Sequence, residues 1–561
     1  MNSRILSSCV VVLALLISLN VKCSSGNDYN CVGCTLVIGL VLEYVEFNNL
    51  TMEQGLKTLC SYLPAEYGVT CKELVNIFEI PLLLILEQTS HPDLICRGLE
   101  LCKGNSTKCT LYPKSRDVPA KGIIKGNQYR PGQVKIPKIP DDICDYPPFK
   151  EICRIIKQVE DHYPAQDFDK DHFSTIRTLR GSSWRGKDCN DFNKDIYPGR
   201  GDGKDIIVDT NCNGIVGSDP DTGESYEDMW CKGTQAMGTV ILGDSVGAHF
   251  HLPEELVNPT LIGPLTYKYL PEMIENELDW PMESAATGYE ESVWDPAKGE
   301  VISLYRQLRN KNRCNHRDYH NIAVNGAWSG TNSMGKIDKT LTRNATVDKP
   351  VFLILALLGN DVCNSHHTMN TMTTVTEFKT NMNAVLDYLD GYLPEKSVVV
   401  SVGLADGRVL YDNMHNRIHP AAAFSRDVNY RTFYNFLNCL EISPCFGWLN
   451  DNSTWRSMTH QRAMNLSQGL KEVVKAKNFK RIIGIYMDSP VAEMISDWEK
   501  QGGKGWELIE PVDGFHTSRM GQAQTAKILY QQMEKNYPEI IPPVNPHNED
   551  IVNMFGTQNG H

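Results

Sequence analysis

The chain has 561 residues, 22% charged and 41% hydrophobic, with a net charge of −13 at neutral pH. That length allows two to four domains at roughly 150 residues each, and the composition is that of a globular chain rather than a disordered one. The acidic balance excludes a nucleic-acid footprint, which needs a clustered basic surface; a local basic patch for an anionic lipid stays compatible with it.

Residues 1–24 contain Arg4, the apolar run from Cys9 to Leu19 and small residues from Cys23. A short apolar core behind a positive charge is the pattern of a cleaved signal peptide. A membrane anchor would need about 20 apolar residues, and this run is shorter. No later stretch reads as long and apolar enough to cross a bilayer, so the remainder is expected to be soluble or peripheral. The 18 cysteines are weighted to the first half, as disulfides formed in an oxidising compartment would be. Sequons at Asn49, Asn105, Asn344, Asn452 and Asn465 become glycosylation candidates in a secreted chain. Secretion is the expected destination, with lysosomes or secretory vesicles as further sites.

Residues 31–109 have a pattern of their own. Cys31 and Cys34 open it, Cys60 and Cys71 follow with ten residues between them, and Cys96 and Cys102 close it. The apolar or amphipathic runs Thr35–Phe47 and Leu74–Leu86 read as short helices, with Pro81 kinking or dividing the last. A helical domain below about 80 residues buries too little surface to be secure without staples. Spacing alone cannot choose among the possible pairings. The pattern resembles the saposin-B family, over a candidate domain at 27–109. That resemblance implies the pairings Cys31–Cys102, Cys34–Cys96 and Cys60–Cys71. It also implies a module that meets lipids, or a membrane or micelle surface, by opening an apolar face. A purely scaffolding module is the alternative. The run from Pro81 to Leu86 is more apolar than a solvated helix face and is either core or lipid-facing.

Residues 110–148 change character. Prolines recur at 113, 119, 131, 137, 140, 147 and 148, with glycines and basic residues such as Lys114, Arg130 and Lys138 between them. No helical or alternating period is present, so the segment reads as an extended linker of the kind proteases nick. Cleavage near Lys138 would leave a small and a large piece, and Cys109, outside the six, is the natural bridge.

Residues 149–232 hold the densest carboxylates. Asp167, Asp169, Asp171 and Phe173 alternate as the opening of a calcium loop does, with side-chain oxygens at positions one, three and five and a backbone carbonyl at seven; His172 stands at position six, where glycine is usual. Asp188, Asn190, Asp191, Asn193 and Asp195 follow, then Asp205 and the run Asp209, Asn211, Asn213, Gly214. Such residues also favour metal-free turns, but carboxylates this dense repel one another without a cation. Ca2+ is the expected cofactor, in a structural role. Cys189 and Cys212 are expected to staple this region rather than ligate metal.

Gly238–Leu242 is β-branched and apolar, as a buried strand should be, and runs into Gly243-Asp244-Ser245-Val246-Gly247. A serine in a glycine-flanked turn after such a strand can project its hydroxyl into a crevice. His320–Val324 leads to the stretch Asn325–Gly330. Val351–Leu358 is a second buried run, ending in Gly359-Asn360-Asp361. Near the C-terminus Asp513 stands three residues before His516, and Thr517–Asn536 has an amphipathic helical pattern. Strands alternating with helices imply a parallel sheet with a site at the strand ends.

These four blocks, in this order within 233–545, resemble the GDSL or SGNH hydrolases. By that resemblance Ser245 is a nucleophile, His516 its base and Asp513 the residue that orients His516. The Ser245 amide, Gly330 and the Asn360 side chain would form the oxyanion hole. The chemistry is consistent, since a serine hydroxyl is a poor nucleophile until a base takes its proton and the developing anion needs preorganised donors. Asp244 and Asp361 read as holding turns, His249 and His251 as packing or surface residues, and His366 and His367 as lining the cleft. Cys439 and Cys445 are expected in disulfides, one of them bridging back to Cys109, with Cys439 the candidate.

A saposin-like module, a calcium-loop region and an SGNH-type hydrolase together resemble the acyloxyacyl hydrolase family. The fold implied is a small all-α saposin-like domain plus an α/β SGNH-hydrolase domain with a flavodoxin-like parallel sheet and calcium-binding loops. The activity implied is a serine carboxylic-ester hydrolase that removes secondary, acyloxyacyl-linked fatty acyl chains from the lipid A of bacterial lipopolysaccharide and so inactivates it. The resemblance also implies a precursor cut into disulfide-linked small and large subunits. Val246 stands where the GDSL motif has leucine. Three rivals remain: a broader phospholipase or lysophospholipase using this triad, a lipid-binding protein whose hydrolase domain is inert, and a structural calcium-binding surface protein, which would leave the ordered catalytic blocks unexplained.

Overall fold

A computed structural model describes residues 26–86, 89–115, 150, 154, 157, 162–290, 301–330, 340–363, 368–558 and 560–561. The expected signal peptide at 1–24, the cleavage region around Lys138, and His366 and His367 lie outside the described residues.

Four helices make the N-terminal module: α1 (Gly26–Phe47), α2 (Met52–Tyr62), α3 (Ala65–Leu86) and α4 (Pro92–Gly98). Thr51 and Gln54 cap α2 reciprocally. Cys34–Cys96 ties α1 to α4, Cys31–Cys102 ties α1 to the chain just beyond it, and Cys60–Cys71 ties α2 to α3. Pro81 does not divide α3, which runs through it as one helix. The proline forfeits one intrahelical N–H bond, and the turn after it is held by buried Leu82 with Ile85 and Leu86 packed alongside. α1 is long and apolar enough to cross a bilayer, which the expectation from sequence denied to any later stretch. Yet 83% of its apolar window is buried inside the protein, which makes it a core helix here.

α1 is also the joint to the rest of the chain. Leu36, Val41, Leu42 and Val45 share one apolar cluster with residues of the parallel sheet described below. Glu43 is fully buried; its carboxylate accepts from the Phe424 N–H at 3.3 Å and from the Ser425 hydroxyl. Phe47 packs edge-on against Phe424. Gly39 permits a close crossing, because a Cβ there would lie 2.0 Å from the hydroxyl of buried Tyr112. Cys109–Cys439 adds a covalent tie, and Cys445 pairs with Cys363 instead.

The larger part is built on β1 (Gly238–Gly243), which leads into the single-turn helix α5 (Ser245–Ala248), then β2 (Tyr319–Asn321), β3 (Val351–Ala356), α6 (Val375–Tyr392), β4 (Val398–Val402), α7 (Ser453–Ala476), β5 (Ile483–Met487), α8 (Val491–Lys500) and α9 (Arg519–Asn536). The strands are parallel, in the order β2-β1-β3-β4-β5, the flavodoxin-like arrangement. Side chains alternate along a strand, so Leu353 and Leu355 join the cluster with α6, α7 and α1, whereas Phe352 and Ile354 join α8 and α9. Strand order reverses between β1 and β3, which is where a crevice opens at the carboxyl ends of such sheets. Residues 162–225 are mostly turns, with the Cys189–Cys212 staple in place.

Candidate active site

The site begins where β1 stops. Asp244 caps the short α5 by accepting from the Val246 N–H at 3.0 Å, and its other oxygen accepts from the Leu358 N–H at 2.7 Å. One buried carboxylate thereby pins the end of β1 to the chain beyond β3. Ser245 follows on the first turn, 8% exposed.

The turn before α9 supplies the partners. His516 Nε2 lies 2.7 Å from Ser245 Oγ, across 271 residues of sequence. His516 Nδ1 lies 2.5 Å from Asp513 Oδ2, while Asp513 Oδ1 accepts from the N–H groups of Phe515 and His516 at 2.8 and 3.1 Å. Burial works against the charged imidazole, but the Asp513 carboxylate, helped by Asp244 and Glu510, outweighs it and holds His516 above the ordinary histidine value. A hydroxyl, an imidazole and a carboxylate in this line can move a proton off the hydroxyl and stabilise the imidazolium that results.

Asn360 and Gly330 sit on neighbouring loops. Asn360 donates one side-chain N–H to the Ala327 carbonyl at 2.9 Å, which leaves the second N–H of that nitrogen for another acceptor. Asp361 binds the Ser329 N–H at 3.0 Å and its hydroxyl at 2.5 Å, tying the two loops together. A Cβ on Gly330 would strike the Trp328 ring at 2.1 Å.

Beside His516 lies an apolar cavity of about 120 Å³. A water needs only about 10–15 Å³, so there is room for an alkyl chain. Tyr29, Val32, Leu36 and Leu40 of α1 line one wall and Phe250, Leu252, Leu256 and Val257 another, with Asp513 and His516 also in the lining. Val32, Leu36 and Leu40 recur every four residues and so share a helix face. Sequence reasoning missed this wall, because the same spacing serves an ordinary core. It also missed Glu510, which is fully buried and pairs with His251. His249 is fully buried, with Nδ1 3.3 Å from the Trp280 carbonyl.

The carboxylate-rich region forms two loops wired alike. In the first, Asp167 accepts from the N–H groups of Lys170 and His172, and Asp169 and Asp171 each accept from the N–H two residues on, the latter from Phe173. His172 takes φ +75°, the conformation glycine usually serves at position six. In the second, Asp209 accepts from the N–H groups of Asn213 and Gly214, and Asn211 and Asn213 each from the N–H two residues on. Oxygens of Asp167, Asp169 and Asp191 come within 4.8 Å of one another, as do those of Asp169, Asp171 and Asp188. The Oδ2 atoms of Asp169, Asp171, Asp188 and Asp191 are buried and accept no hydrogen bond. Burial first, then neighbouring aspartates, pushes Asp171 up to about 8 and Asp188 up to about 6. Bare, mutually repelling oxygens are what a hard cation satisfies, so this donor set fits Ca2+.

The remaining candidates are engaged differently. Asn190 and Asn193 accept from the N–H groups of Phe192 and Asp195 within their own turns, and Asp195 pairs with Arg200 at 3.1 Å. Asp205 accepts from Thr210 and Asn211, and neighbouring Glu227 is met by Lys349 at 3.1 Å. The sequon asparagines Asn49, Asn105, Asn344, Asn452 and Asn465 are all exposed.

Comparison with known proteins places both halves. The saposin-like domain family matches residues 30–154, and the GDSL-like lipase/acylhydrolase family matches residues 240–529. Acyloxyacyl hydrolase of Homo sapiens is 38% identical over 98% of this chain and 98% of its own. The Oryctolagus cuniculus protein of that name is 38% identical over 95% of this chain and 94% of its own. For the Mus musculus one the figures are 37%, 96% and 94%. Saposin-C of Cavia porcellus is 32% identical over 75 residues, 13% of this chain and 91% of its own. With such identity along nearly its whole length, the chain belongs to the acyloxyacyl hydrolase family and is a hydrolase of lipid acyl esters.

Proposed function

We propose that this hydrolase removes secondary, acyloxyacyl-linked fatty acyl chains from the lipid A of bacterial lipopolysaccharide. The observation that carries the reading is the apolar cavity, with α1 as one wall, the segment after Ser245 as another, and His516 in its lining. Burial of each methylene is worth about 0.8 kcal/mol, so a long acyl chain resists leaving an aggregate for water. Passing from an aggregate into an apolar cavity avoids that exposure.

In this reading Ser245 is the nucleophile. His516 Nε2 takes the Oγ proton as Oγ bonds to the acyl carbonyl carbon. The carbonyl oxygen becomes an anion received by the Ser245 N–H, the Gly330 N–H and the Asn360 side chain, donors worth about 3–4 kcal/mol each in comparable sites. Collapse breaks the ester C–O bond, and His516 gives its proton to the departing alkoxide oxygen, which leaves as the hydroxyl of the hydroxyacyl group. A water deprotonated by His516 then bonds to the acyl carbon, the bond from that carbon to Ser245 Oγ breaks, and His516 returns the proton to Oγ as the fatty acid leaves. Asp513 keeps the imidazole proton on Nδ1, so that Nε2 is the accepting nitrogen.

Ca2+ belongs to the same reading, held by Asp167, Asp169, Asp171, Asp188 and Asp191 with the Phe173 carbonyl at position seven. The alike wiring of the second loop supports another ion at Asp209, Asn211 and Asn213. Bound calcium would neutralise charge and order a region with little apolar core. The disulfides fit secretion through an oxidising compartment, with lysosomes or secretory vesicles as further sites. Processing near Lys138 would leave small and large subunits joined by Cys109–Cys439, seen as two bands only on a reducing gel.

The deciding experiment is mass spectrometry of lipid A before and after incubation with the protein. Loss of secondary acyl chains alone, abolished in Ser245→Ala, is the expected result. Fatty acid release from phosphatidylcholine but not from lipopolysaccharide would make the enzyme a phospholipase, and full activity in Ser245→Ala would dismiss the triad.

A further inference from the structure

Glu510 opens the turn that carries Asp513 and His516. Its N–H donates to the His516 carbonyl at 2.8 Å, and its carbonyl accepts from the Gly514 N–H at 2.9 Å. Its own backbone therefore closes the turn. Its side chain is fully buried and reaches the segment that follows Ser245. There Oε2 pairs with His251 Nδ1 at 2.5 Å and Oε1 accepts from the Leu252 N–H at 3.3 Å. That segment is anchored in turn. The Phe250 N–H donates to the Ser245 carbonyl at 2.9 Å, the Trp280 indole donates to the His251 carbonyl at 3.0 Å, and the Phe250 ring lies 4.7 Å from the His516 ring. One buried carboxylate thus joins two segments 259 residues apart. Those segments carry Ser245 Oγ and His516 Nε2, which stand 2.7 Å apart.

We propose that His251 and Glu510 are a positioning pair that sets the turn bearing His516 against Ser245. Burying a carboxylate is costly unless it is partnered, and an apolar contact would hold the two segments together without that cost. A hydrogen-bonded pair does something an apolar contact does not: it fixes direction as well as distance. Proton transfer needs both, and a misplacement of about 1 Å can cost roughly 100-fold in rate. The inference rests on the roles assigned to Ser245 and His516 above.

The test uses the full-length protein and a soluble short-chain ester, with kcat and KM read separately and thermal unfolding followed alongside. His251→Ala is expected to lower kcat by about 10- to 100-fold while KM changes by less than about threefold. His251→Asn, whose amide places a donor near the position of Nδ1, is expected to recover kcat to within about fivefold of the parent. Unchanged kcat in His251→Ala, equal impairment of the two variants, or a loss confined to KM would each overturn the proposal. If His251→Ala does not fold, Glu510→Gln takes its place: a kcat loss with the fold retained supports the pair, and unchanged kcat overturns it. Ser245→Ala run in parallel separates the two levels. Activity surviving there would remove the catalytic assignment itself, whereas activity lost there but unaffected in His251→Ala would overturn the positioning pair alone.

Discussion

Asparagine at position 513 should disable His516 more thoroughly than alanine. Asp513 Oδ1 accepts from two backbone N–H groups, and Oδ2 faces His516 Nδ1 at 2.5 Å. An asparagine would have to turn its oxygen to those two amides and its NH2 to Nδ1. Nδ1 would then accept, and the imidazole proton would move to Nε2, 2.7 Å from Ser245 Oγ. From there the ring cannot take the serine proton. Flipping the amide restores the tautomer but leaves two N–H donors facing an NH2, at about 1–3 kcal/mol each. The productive form is then disfavoured by roughly 2–6 kcal/mol, about 30-fold to 10⁴-fold in kcat; the upper end matches the comparable change in a serine protease. Alanine removes the orienting bond but leaves both tautomers accessible, so its loss should be smaller. The assay is kcat on a soluble ester, with active sites titrated by a serine-directed phosphonate. Asp513→Asn proving as active as Asp513→Ala would refute the reasoning.

Other outcomes follow from the same geometry. His516 must be uncharged to act as a base, and Asp513 holds it above the ordinary histidine value. Activity should therefore appear as pH rises along a limb centred above that value, and Asp513→Ala should move the limb down; a parent limb at or below the ordinary value would contradict this. Leu36→Trp should fill part of the cavity and raise KM for long-chain esters by about 10-fold or more, the equivalent of two buried methylenes, with little change for an acetyl ester; a uniform change across chain lengths would count against the cavity as the acyl site. Chelation should lower the unfolding temperature of the parent by several degrees and that of Asp171→Asn/Asp188→Asn by less, and calorimetry should count fewer Ca2+ ions bound by the variant than by the parent.

Ser245, Asp513 and His516 were legible in the sequence because each lies in a short motif at the end of a recognisable strand or before a clear helix. The two runs that became β1 and β3 could be read for a similar reason: a buried strand announces itself by continuous apolar residues, a mark that the Tyr-His-Asn of β2 lacks. Long-range wiring has no such local mark. Nothing around Glu510 distinguishes a fully buried glutamate from a surface one, and its partner His251 lies 259 residues away. The spacing along α1 is compatible with ordinary core; the four-residue period records that residues share a side, not what they face. At Pro81 only the dividing alternative failed, since the local cost was visible and the packing that offsets it was not. In the carboxylate loops the alternation could be seen, but which oxygens hydrogen bonds would leave bare depended on the fold.

Ownership of the apolar cavity is divided along the chain. Tyr29, Val32, Leu36 and Leu40 come from one stretch, whereas Ser245, Asp513 and His516 come from others hundreds of residues later. On the proposed reading, variation on the α1 face can retune which acyl lengths are accepted while the reacting atoms stay where they are. Selectivity and turnover are then separately heritable, and either could be redesigned without first disturbing the other.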